Sequence, residues 1–226
     1  TTIDEVKDLA EKHLLITNGS KPNTPNMLPL HRENEVSIEQ YQGRDQVHIA
    51  FGFRTASSFH PDNATLDVIA EVLGGGRASS LSRKLRLEKG LVYSVNAWSL
   101  ESTDAGAWIV KTSTSKDNAQ EVTTIITDEV KRVLDKGLTK EEVMFAQNKI
   151  VKSKRMELQS SGSWVDWHAT KELTSELPHT LADYTKDIID VTPEMTMSVA
   201  QKYFGNNKWY LGMCGDIAKK DIVVSI

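Results

Sequence analysis

The sequence predicts an α+β fold in which helices are layered on an antiparallel β-sheet. Segments with the 3.6-residue apolar repeat of an amphipathic helix are interleaved with segments in which apolar and polar residues alternate. The clearest pair of predicted strands is joined by a short turn at residues 101–105, and strands joined by a short turn run antiparallel. The pattern therefore favours a layered α+β domain over a doubly wound parallel sheet.

Strand patterns occur along the chain at residues 35–40, 46–53, 91–97, 105–110 and 209–213. The second of these gives the clearest alternation, because its apolar residues all fall on one face: Val47, Ile49, Phe51 and Phe53. In the predicted hairpin, Tyr93 stands at the head of the first strand, and Trp108 and Val110 share one face of the second strand.

Helical patterns occur at residues 2–14, 61–73, 79–89, 117–135, 139–158, 164–177, 181–189 and 192–205. Two of them begin with a capping box, a Thr followed three residues later by a Glu: Thr2 with Glu5, and Thr139 with Glu142. Asp62 and Asp117 stand at two further predicted helix starts, and residues 161–163 are expected to break the helix before them. Residues 15–34 hold three of the six prolines and predict a linker, with a domain boundary nearby.

Composition excludes several classes of protein. The chain has 226 residues, of which 39% are hydrophobic, which is enough for a packed core. Its 27 basic and 31 acidic residues give a net charge of −4, which is not the basic footprint of a nucleic-acid-binding protein. Cys214 is the only cysteine, so disulfide scaffolds and cysteine-rich metal sites are excluded, and we expect it to be a buried, inert thiol. No apolar run approaches the ~20 residues that span a bilayer, so no transmembrane segment is expected.

The sequence offers weak signals for a metal site and for a phosphate site. No two of the six histidines have the i, i+4 spacing of a helical metal site, and His168 with Glu172 makes only half of one. We therefore expect no metal or other cofactor to be bound by this chain. The glycine run at residues 74–80 suits an anion at a helix N-terminus, but a helix end followed by a tight turn explains it better. Binding of phosphate or a nucleotide by this glycine run remains one functional hypothesis.

The segment LSRKLRLEKGLVYSV at residues 81–95 carries the most informative pair of side chains. Arg86 lies near the end of a basic helical segment, Gly90 turns the chain, and Tyr93 follows. A guanidinium and a phenol brought together across one turn can bind peptide carbonyls and stabilise a developing oxyanion. From the residues alone, an Arg paired with a surface carboxylate and a Tyr lying on the sheet edge is the competing interpretation.

Residues 60–99, HPDNATLDVIAEVLGGGRASSLSRKLRLEKGLVYSVNAWS, resemble the C-terminal half of the pitrilysin-like (M16) zinc metallopeptidases, which include mitochondrial processing peptidase and its bacterial relatives. The helix, the glycines, the small residues and the Arg with a Tyr seven positions later all match that pattern. Residues 139–149, 192–204 and the Gly-Asp at 215–216 fit as well, so the resemblance covers nearly the whole chain.

The resemblance implies one half of an enzyme with the LuxS/MPP-like metallohydrolase fold, whose two halves close over a peptide substrate. Residues 1–20 would then be the closing helix of a preceding half and the start of a linker, and residues 21–226 the C-terminal α+β domain. The family's catalytic half carries the zinc motif H-x-x-E-H, and its other half supplies the Arg and Tyr that bind substrate. These substrate-binding roles fall on Arg86 and Tyr93.

H-x-x-E-H occurs nowhere in the 226 residues, so no zinc ligand or other catalytic residue is carried over to this chain. The resemblance therefore implies the substrate-binding half of a zinc-dependent endopeptidase, with zinc on a complementary half. That half lies either in the same, longer chain or in a separate subunit, and the first arrangement is favoured. The alternative function is a non-catalytic binding or assembly subunit. The sequence leaves the compartment open, and the family alone suggests a periplasmic or mitochondrial one.

Overall fold

A computed structural model describes residues 2–14, 33–58, 60–174, 180–205 and 208–225 of the chain. Five strands form a single sheet: β1 (Glu35–Gln40), β2 (Gln46–Thr55), β3 (Val95–Glu101), β4 (Gly106–Ser115) and β5 (Trp209–Gly215). Their order across the sheet is β1-β5-β2-β4-β3. With helices packed on it, this sheet confirms the predicted α+β class.

The sheet is mixed, so the prediction that its strands are all antiparallel is wrong for one pair. β2 runs antiparallel to both β4 and β5, and β3 runs antiparallel to β4. β1 pairs parallel with β5, in a register that places Val36 opposite Leu211. These two strands lie near opposite ends of the chain and share no hairpin, so no turn signal in the sequence could indicate their relative direction.

Seven α-helices accompany the sheet in the described part of the chain: α1 (Ile3–His13), α2 (Asn63–Gly74), α3 (Ala119–Lys136), α4 (Lys140–Glu157), α5 (Ser161–Thr174), α6 (Leu181–Ile189) and α7 (Pro193–Ala200). Two segments are wound as π-helix, at Ser82–Glu88 and Gln201–Gly205. The capping boxes at Thr2 and Thr139 both form as predicted. A third, at Thr180, begins α6.

Two predicted helix boundaries differ from the structure. Asp117 lies in a 3-10 turn, and neither it nor the Asn118 at the N-cap position caps α3 with its side chain. Residues 161–163 begin α5 instead of breaking a helix, because the Ser160 hydroxyl accepts a hydrogen bond from the Ser163 amide at 3.1 Å. Part of the predicted helix at 164–177 and most of the predicted linker at 15–34 fall outside the described residues.

The core lies between one face of the sheet and the helices α2, α3 and α7. The predicted inward face of β2 is confirmed, since Val47, Ile49, Phe51 and Phe53 are each at most 2% exposed. On β4 the face that carries Trp108 and Val110 is the buried one, and both side chains are fully buried. Phe204 lies 4.7 Å from Phe53 and 4.9 Å from Trp108, measured between ring centroids, so an aromatic cluster joins helix to sheet.

Helix α1 forms as predicted but buries none of its residues within this domain. The large side chains of its apolar stripe are exposed, with Ile3 at 75%, Val6 at 54% and Leu9 at 54%. An amphipathic helix normally gains most of its stability by burying such a stripe, which leaves this face of α1 available for a partner. Among the described helices, none combines the length and the apolar character needed to cross a bilayer.

Candidate functional site

A π-helical segment and the loop after it build the candidate site. Ser82–Glu88 is held to the core by Leu81 and Leu85, both fully buried. Gly90, at φ 64°, turns the chain back, and the Leu91 amide then donates a 2.8 Å hydrogen bond to the Leu85 carbonyl. The positive φ explains the glycine, because side-chain-bearing residues rarely adopt that conformation. The sequence predicted a helix here but not its wider winding, a feature found often at functional sites.

Tyr93 stands before β3 instead of within it, because the strand begins only at Val95. Two buried threonines of β4 account for the irregular backbone. The Thr112 hydroxyl donates to the Ser94 carbonyl and the Thr114 hydroxyl donates to the Leu91 carbonyl, each at 2.7 Å. These side-chain bonds take the place of ladder bonds and fix the loop against the sheet.

Arg86 and Tyr93, the two predicted substrate-binding residues, are brought together. The Arg86 guanidinium carbon lies 5.0 Å from the centroid of the Tyr93 ring, within the range of a cation–π contact. Arg86 is half-buried, whereas Tyr93 is 82% exposed although its neighbour Val92 is buried. The loop therefore presents a large aromatic side chain to solvent from an anchored backbone.

Both side chains have hydrogen-bonding capacity that no other described residue uses. Within the described residues, no ion pair or hydrogen bond takes up the guanidinium N–H groups of Arg86 or the Tyr93 hydroxyl. The competing interpretation, an Arg paired with a surface carboxylate, is thus not what the described residues show. A guanidinium edge and a phenol beside it form a donor pair suited to carbonyl oxygens, including one that gains negative charge.

A buried carboxylate lies beneath this segment. Glu129 of α3 is 1% exposed and pairs with Lys84, two residues before Arg86. Its other oxygen lies 3.2 Å from Arg132 Nε. Burial alone would raise the pKa of the Glu129 carboxyl, but hydrogen bonds from Lys84 and Ser80 and the charge of Arg132 hold that pKa below its usual value. The sequence analysis did not identify Glu129. The signal that could have found it is a charged residue at a position of α3 where the helical repeat faces the core.

The glycine run acts as a close-packed turn. A Cβ on Gly74 would collide with the backbone nitrogen of Ala97 in β3, so a glycine is needed where α2 meets the sheet. The Ser79 hydroxyl is used within the turn, since it donates to the Gly76 carbonyl at 2.7 Å. The Glu71 carboxylate, which lies against Gly75, is paired with Lys149, and the Gly75 and Ser79 amides donate to the Glu71 and Gly76 carbonyls, so these groups are already used within the fold. The geometry favours the helix end over the phosphate site.

The other sequence candidates make structural contacts. The His168 ring stacks on Trp164 with centroids 5.5 Å apart. Over the residues that the structure describes, no three His, Cys, Asp or Glu side chains are grouped as metal ligands. The expectation of a buried Cys214 is wrong, because Leu211 and Met213 face the core and the alternation places Cys214, half-exposed, on the opposite face of β5.

Two further groups of polar side chains escaped sequence reasoning. Asp62 does not cap α2 with its side chain; its carboxylate instead binds Lys202 at 2.6 Å and the Tyr203 hydroxyl at 2.9 Å. Asp67 of α2 is half-buried beside Glu101. Burial and the Glu101 charge raise the pKa of the Asp67 carboxyl to about 7.

Comparison with known proteins gives a family and a fold. The model of the peptidase M16 inactive domain matches residues 1–150. An uncharacterized zinc protease of Streptomyces coelicolor is 26% identical over 161 residues, which are 71% of this chain and 35% of that protein. The uncharacterized zinc protease YmxG of Bacillus subtilis is 25% identical over 160 residues, 71% of this chain and 39% of that protein.

Solved structures support the same fold. A protease from Helicobacter pylori matches with a TM-score of 0.83 and 18% identity, over 95% of this chain and 53% of that one. A chain of the Candida albicans complex III2, solved with Inz-5 bound, matches with a TM-score of 0.83 and 17% identity, again over 95% and 53%. The chain thus spans well under half the length of these curated relatives and about half of each solved chain.

Proposed function

Because this chain belongs to the peptidase M16 family as its inactive domain, we propose that it is the substrate-binding half of a zinc-dependent endopeptidase. The observation that carries the proposal is the contact between Arg86 and Tyr93, with the Tyr93 side chain 82% exposed on an anchored loop. The relatives named as zinc proteases support the reaction class.

In this proposal Arg86 and Tyr93 bind the backbone of a peptide. The Arg86 guanidinium donates hydrogen bonds to a substrate carbonyl and so fixes the extended chain. The Tyr93 hydroxyl donates to the oxygen of the scissile carbonyl, where negative charge develops as the carbon becomes tetrahedral. A phenol held on a fixed loop needs little reorganisation when that charge forms, which lowers the barrier.

Zinc belongs to the complementary half in this scheme. The described residues contain no set of three potential ligands, so they do not fit a catalytic zinc site. When bound on the other half, zinc polarises the scissile carbonyl and activates water. This chain contributes binding and orientation, and by itself it is expected to be inactive.

The exposed stripe of α1 supports a complementary half as the partner. Ile3, Val6, Leu9 and Leu14 leave a continuous apolar surface on a helix that begins with a complete capping box. We propose that residues 1–20 form the closing helix of a preceding half and the start of a linker, and residues 21–226 the C-terminal domain. The greater length of the curated relatives is consistent with a second half in the same chain.

A second candidate function is a non-catalytic assembly subunit. It is favoured by the structural match to a chain of the Candida albicans complex III2, at a TM-score of 0.83. In that case Arg86 and Tyr93 would act as a surface contact and not as a substrate clamp. The two functions differ in whether the assembled protein contains zinc and hydrolyses peptides.

Substitution of the two residues tests the first function. In the assembled protein, Tyr93→Phe should lower kcat/KM for a peptide substrate by about a hundredfold to a thousandfold, the range for losing a donor to a developing oxyanion. Arg86→Ala should lower it by about tenfold to a hundredfold, the value of a hydrogen bond from a charged donor. Zinc content should not change, because neither residue is a zinc ligand in this scheme. The kinetic assay and a metal analysis of the same samples give both readouts.

Arg83→Ala is the matched control. Arg83 lies on the same π-helical segment, is exposed, and pairs only loosely with Glu88 at 3.8 Å. Its loss changes the local charge by the same amount as Arg86→Ala but leaves the Tyr93 contact intact. Unchanged hydrolysis in both Arg86→Ala and Tyr93→Phe would contradict the proposed function.

A further inference from the structure

The side of the π-helical segment opposite Arg86 is held by an ion-pair network that the proposed function does not use. Lys84 pairs with the buried Glu129 of α3, and Glu129 also binds Arg132. Arg132 Nη2 lies 3.1 Å from Glu142 Oε1, and Glu142 accepts a hydrogen bond from the Thr139 amide in the capping box of α4. The network therefore connects the Arg86 segment to the α3–α4 turn.

We propose that Lys84 and Glu129 are positioning residues that hold the Ser82–Glu88 segment in the orientation that stacks Arg86 on Tyr93. This inference rests on the proposed function, since it concerns how the substrate-binding pair is held. Neither residue touches substrate in this arrangement.

The burial of Glu129 makes the connection between α3 and the π-helical segment rigid. A carboxylate that is 1% exposed strongly favours the geometry in which its cationic partners compensate for lost hydration. If Lys84 moves away from α3, the buried carboxylate keeps only Arg132 as a cationic partner, and Arg132 is shared with Glu142. The distance between α3 and the π-helical segment is thereby restricted.

Because Lys84 faces α3, Arg86 lies on the opposite side of the π-helical segment. Residues two apart on a helix do not share a face, so a lysine held inward at position 84 turns position 86 away from α3. The other supports of the segment are the buried Leu81 and Leu85, the hydrogen bond from the Leu91 amide to the Leu85 carbonyl, and the exposed ion pair of Lys89 with Glu121 of α3. Apolar contacts have no preferred direction and an exposed ion pair contributes little, so the pair with the buried Glu129 restricts the orientation of the segment most.

Tyr93 is fixed independently of this network. Thr112 and Thr114 hold the backbone of its loop to β4, and neither contacts Glu129. The Arg86–Tyr93 contact thus has two separate supports, one from α3 and one from the sheet. Loss of the α3 support should displace Arg86 and leave Tyr93 in place.

A second ion pair provides a matched control. Lys149 of α4 pairs with Glu71 of α2, and the exposed fraction of the lysine side chain is 39%, the same as for Lys84. This pair joins two helices outside the Arg86 segment. Lys149→Ala therefore removes an ion pair from a lysine of equal exposure without acting on Arg86.

The test compares Lys84→Ala, Lys84→Arg and Lys149→Ala in the full-length assembled protein. The substitutions are made at Lys84 and not at Glu129, because variants of the buried Glu129 risk failing to fold. We expect Lys84→Ala to lower kcat for peptide hydrolysis by about tenfold, since small misplacements of orienting groups have effects of this order or larger. Lys84→Arg should restore most of the loss, and Lys149→Ala should leave kcat unchanged.

Two comparisons separate positioning from general stability. In an Arg86→Ala background, Lys84→Ala should add less than about twofold, because residues that act through one another are not additive. We expect the ring current of Tyr93 to displace the Arg86 Nε–H resonance, and Lys84→Ala should shift that resonance toward its value in a Tyr93→Leu variant. Lys149→Ala should not shift it.

The outcomes also distinguish the two proposals. Additive losses with Lys84→Ala, or an unmoved Arg86 resonance, would overturn the positioning role. If Arg86→Ala and Tyr93→Phe leave hydrolysis unchanged while Lys84→Ala still moves the resonance, the proposed function fails and the positioning of Arg86 stands.

Discussion

Asp67 shows at the scale of one residue how burial changes chemistry. Its carboxyl lies near Ser99 and Glu101 of β3, Lys154 of α4 and Lys171 of α5, and it also acts on Tyr184 of α6. Burial and the Glu101 charge raise its pKa to about 7, while the lysines and Ser99 lower that pKa only in part. In the unfolded chain the pKa would be close to the ordinary 3.8.

This pKa difference predicts a stability that falls as pH rises. Between about pH 4 and pH 7 the folded chain keeps a proton on Asp67 that the unfolded chain has lost, so rising pH favours unfolding. Asp67→Asn removes this effect. Relative to the parent chain, we expect the variant to gain on the order of 2–4 kcal/mol of unfolding free energy at pH 8, and little at pH 4.

Urea unfolding of both chains at pH 4, 6 and 8 measures the effect. Asp128→Asn is the control, because Asp128 lies on α3 and is exposed. The Asp128 variant should follow the parent chain at each pH. A parent chain that becomes more stable between pH 4 and pH 7, with no gain from Asp67→Asn at pH 8, would contradict the raised pKa.

The candidate site was predictable at residue level only in part. The Arg86–Tyr93 pair could be named from the sequence because both residues belong to one local segment with a family pattern. Glu129 and Asp67 could not be assigned roles, since their partners come from segments distant in the chain. Periodicity places a residue on a helix face, but it does not say which charge lies across the interface.

At the scale of elements, α1 is a helix that forms in full although none of its residues is buried. The helix has a complete capping box, acidic residues in its first turn and basic residues in its last turn. Its apolar stripe nevertheless contacts no core within this domain. Local signals were sufficient to predict the helix, because they act over three or four residues, but they do not specify the partner.

Substitution on α1 tests whether the stripe is an interface. Leu9→Ser should change the unfolding free energy of the 226-residue chain by at most about 0.5 kcal/mol, because the side chain is already 54% exposed. In the full-length or two-subunit protein, the same change should destabilise the assembly by about 1.5–3 kcal/mol, the value of one buried leucine. Glu11→Ser, on the same exposed helix, is the control and should affect neither.

Thermal and chemical unfolding of the domain and of the assembly provide the measurement. If Leu9→Ser and Glu11→Ser change the unfolding free energy of the assembly by the same amount, the stripe is not buried there and the proposed closing helix is contradicted. A large loss in the isolated domain would show that α1 is already packed there.

At the scale of the whole molecule, the domain has a complete hydrophobic core, but the function proposed for it requires a second half. The sheet, α2, α3 and α7 enclose a continuous apolar cluster that includes Leu66, Ile126 and Leu211. The proposed chemistry, however, needs a metal for which the described residues offer no ligand set. A domain can be stable by itself and still depend on another for its reaction.

Zinc analysis of the natural protein decides between the two functions. We expect about one zinc per assembled pair of halves, as in a catalytic site with three protein ligands. The intact mass from the same sample should exceed 25.2 kDa if the zinc-bearing half lies in the same chain, or a second subunit should co-purify. Zinc-free protein that shows no peptide hydrolysis would favour the assembly subunit.

The sequence was sufficient to predict the α+β class, the capping boxes of α1 and α4, the inward face of β2, and Arg86 and Tyr93 as a candidate pair. Each depends on interactions within a few residues or on a pattern that repeats along one element. The tertiary structure decided the parallel pairing of β1 with β5, the exposed position of Tyr93 before its strand, and the ion pairs of Glu129. These depend on contacts between segments far apart in the chain, and such contacts are fixed only when the sheet and helices pack together.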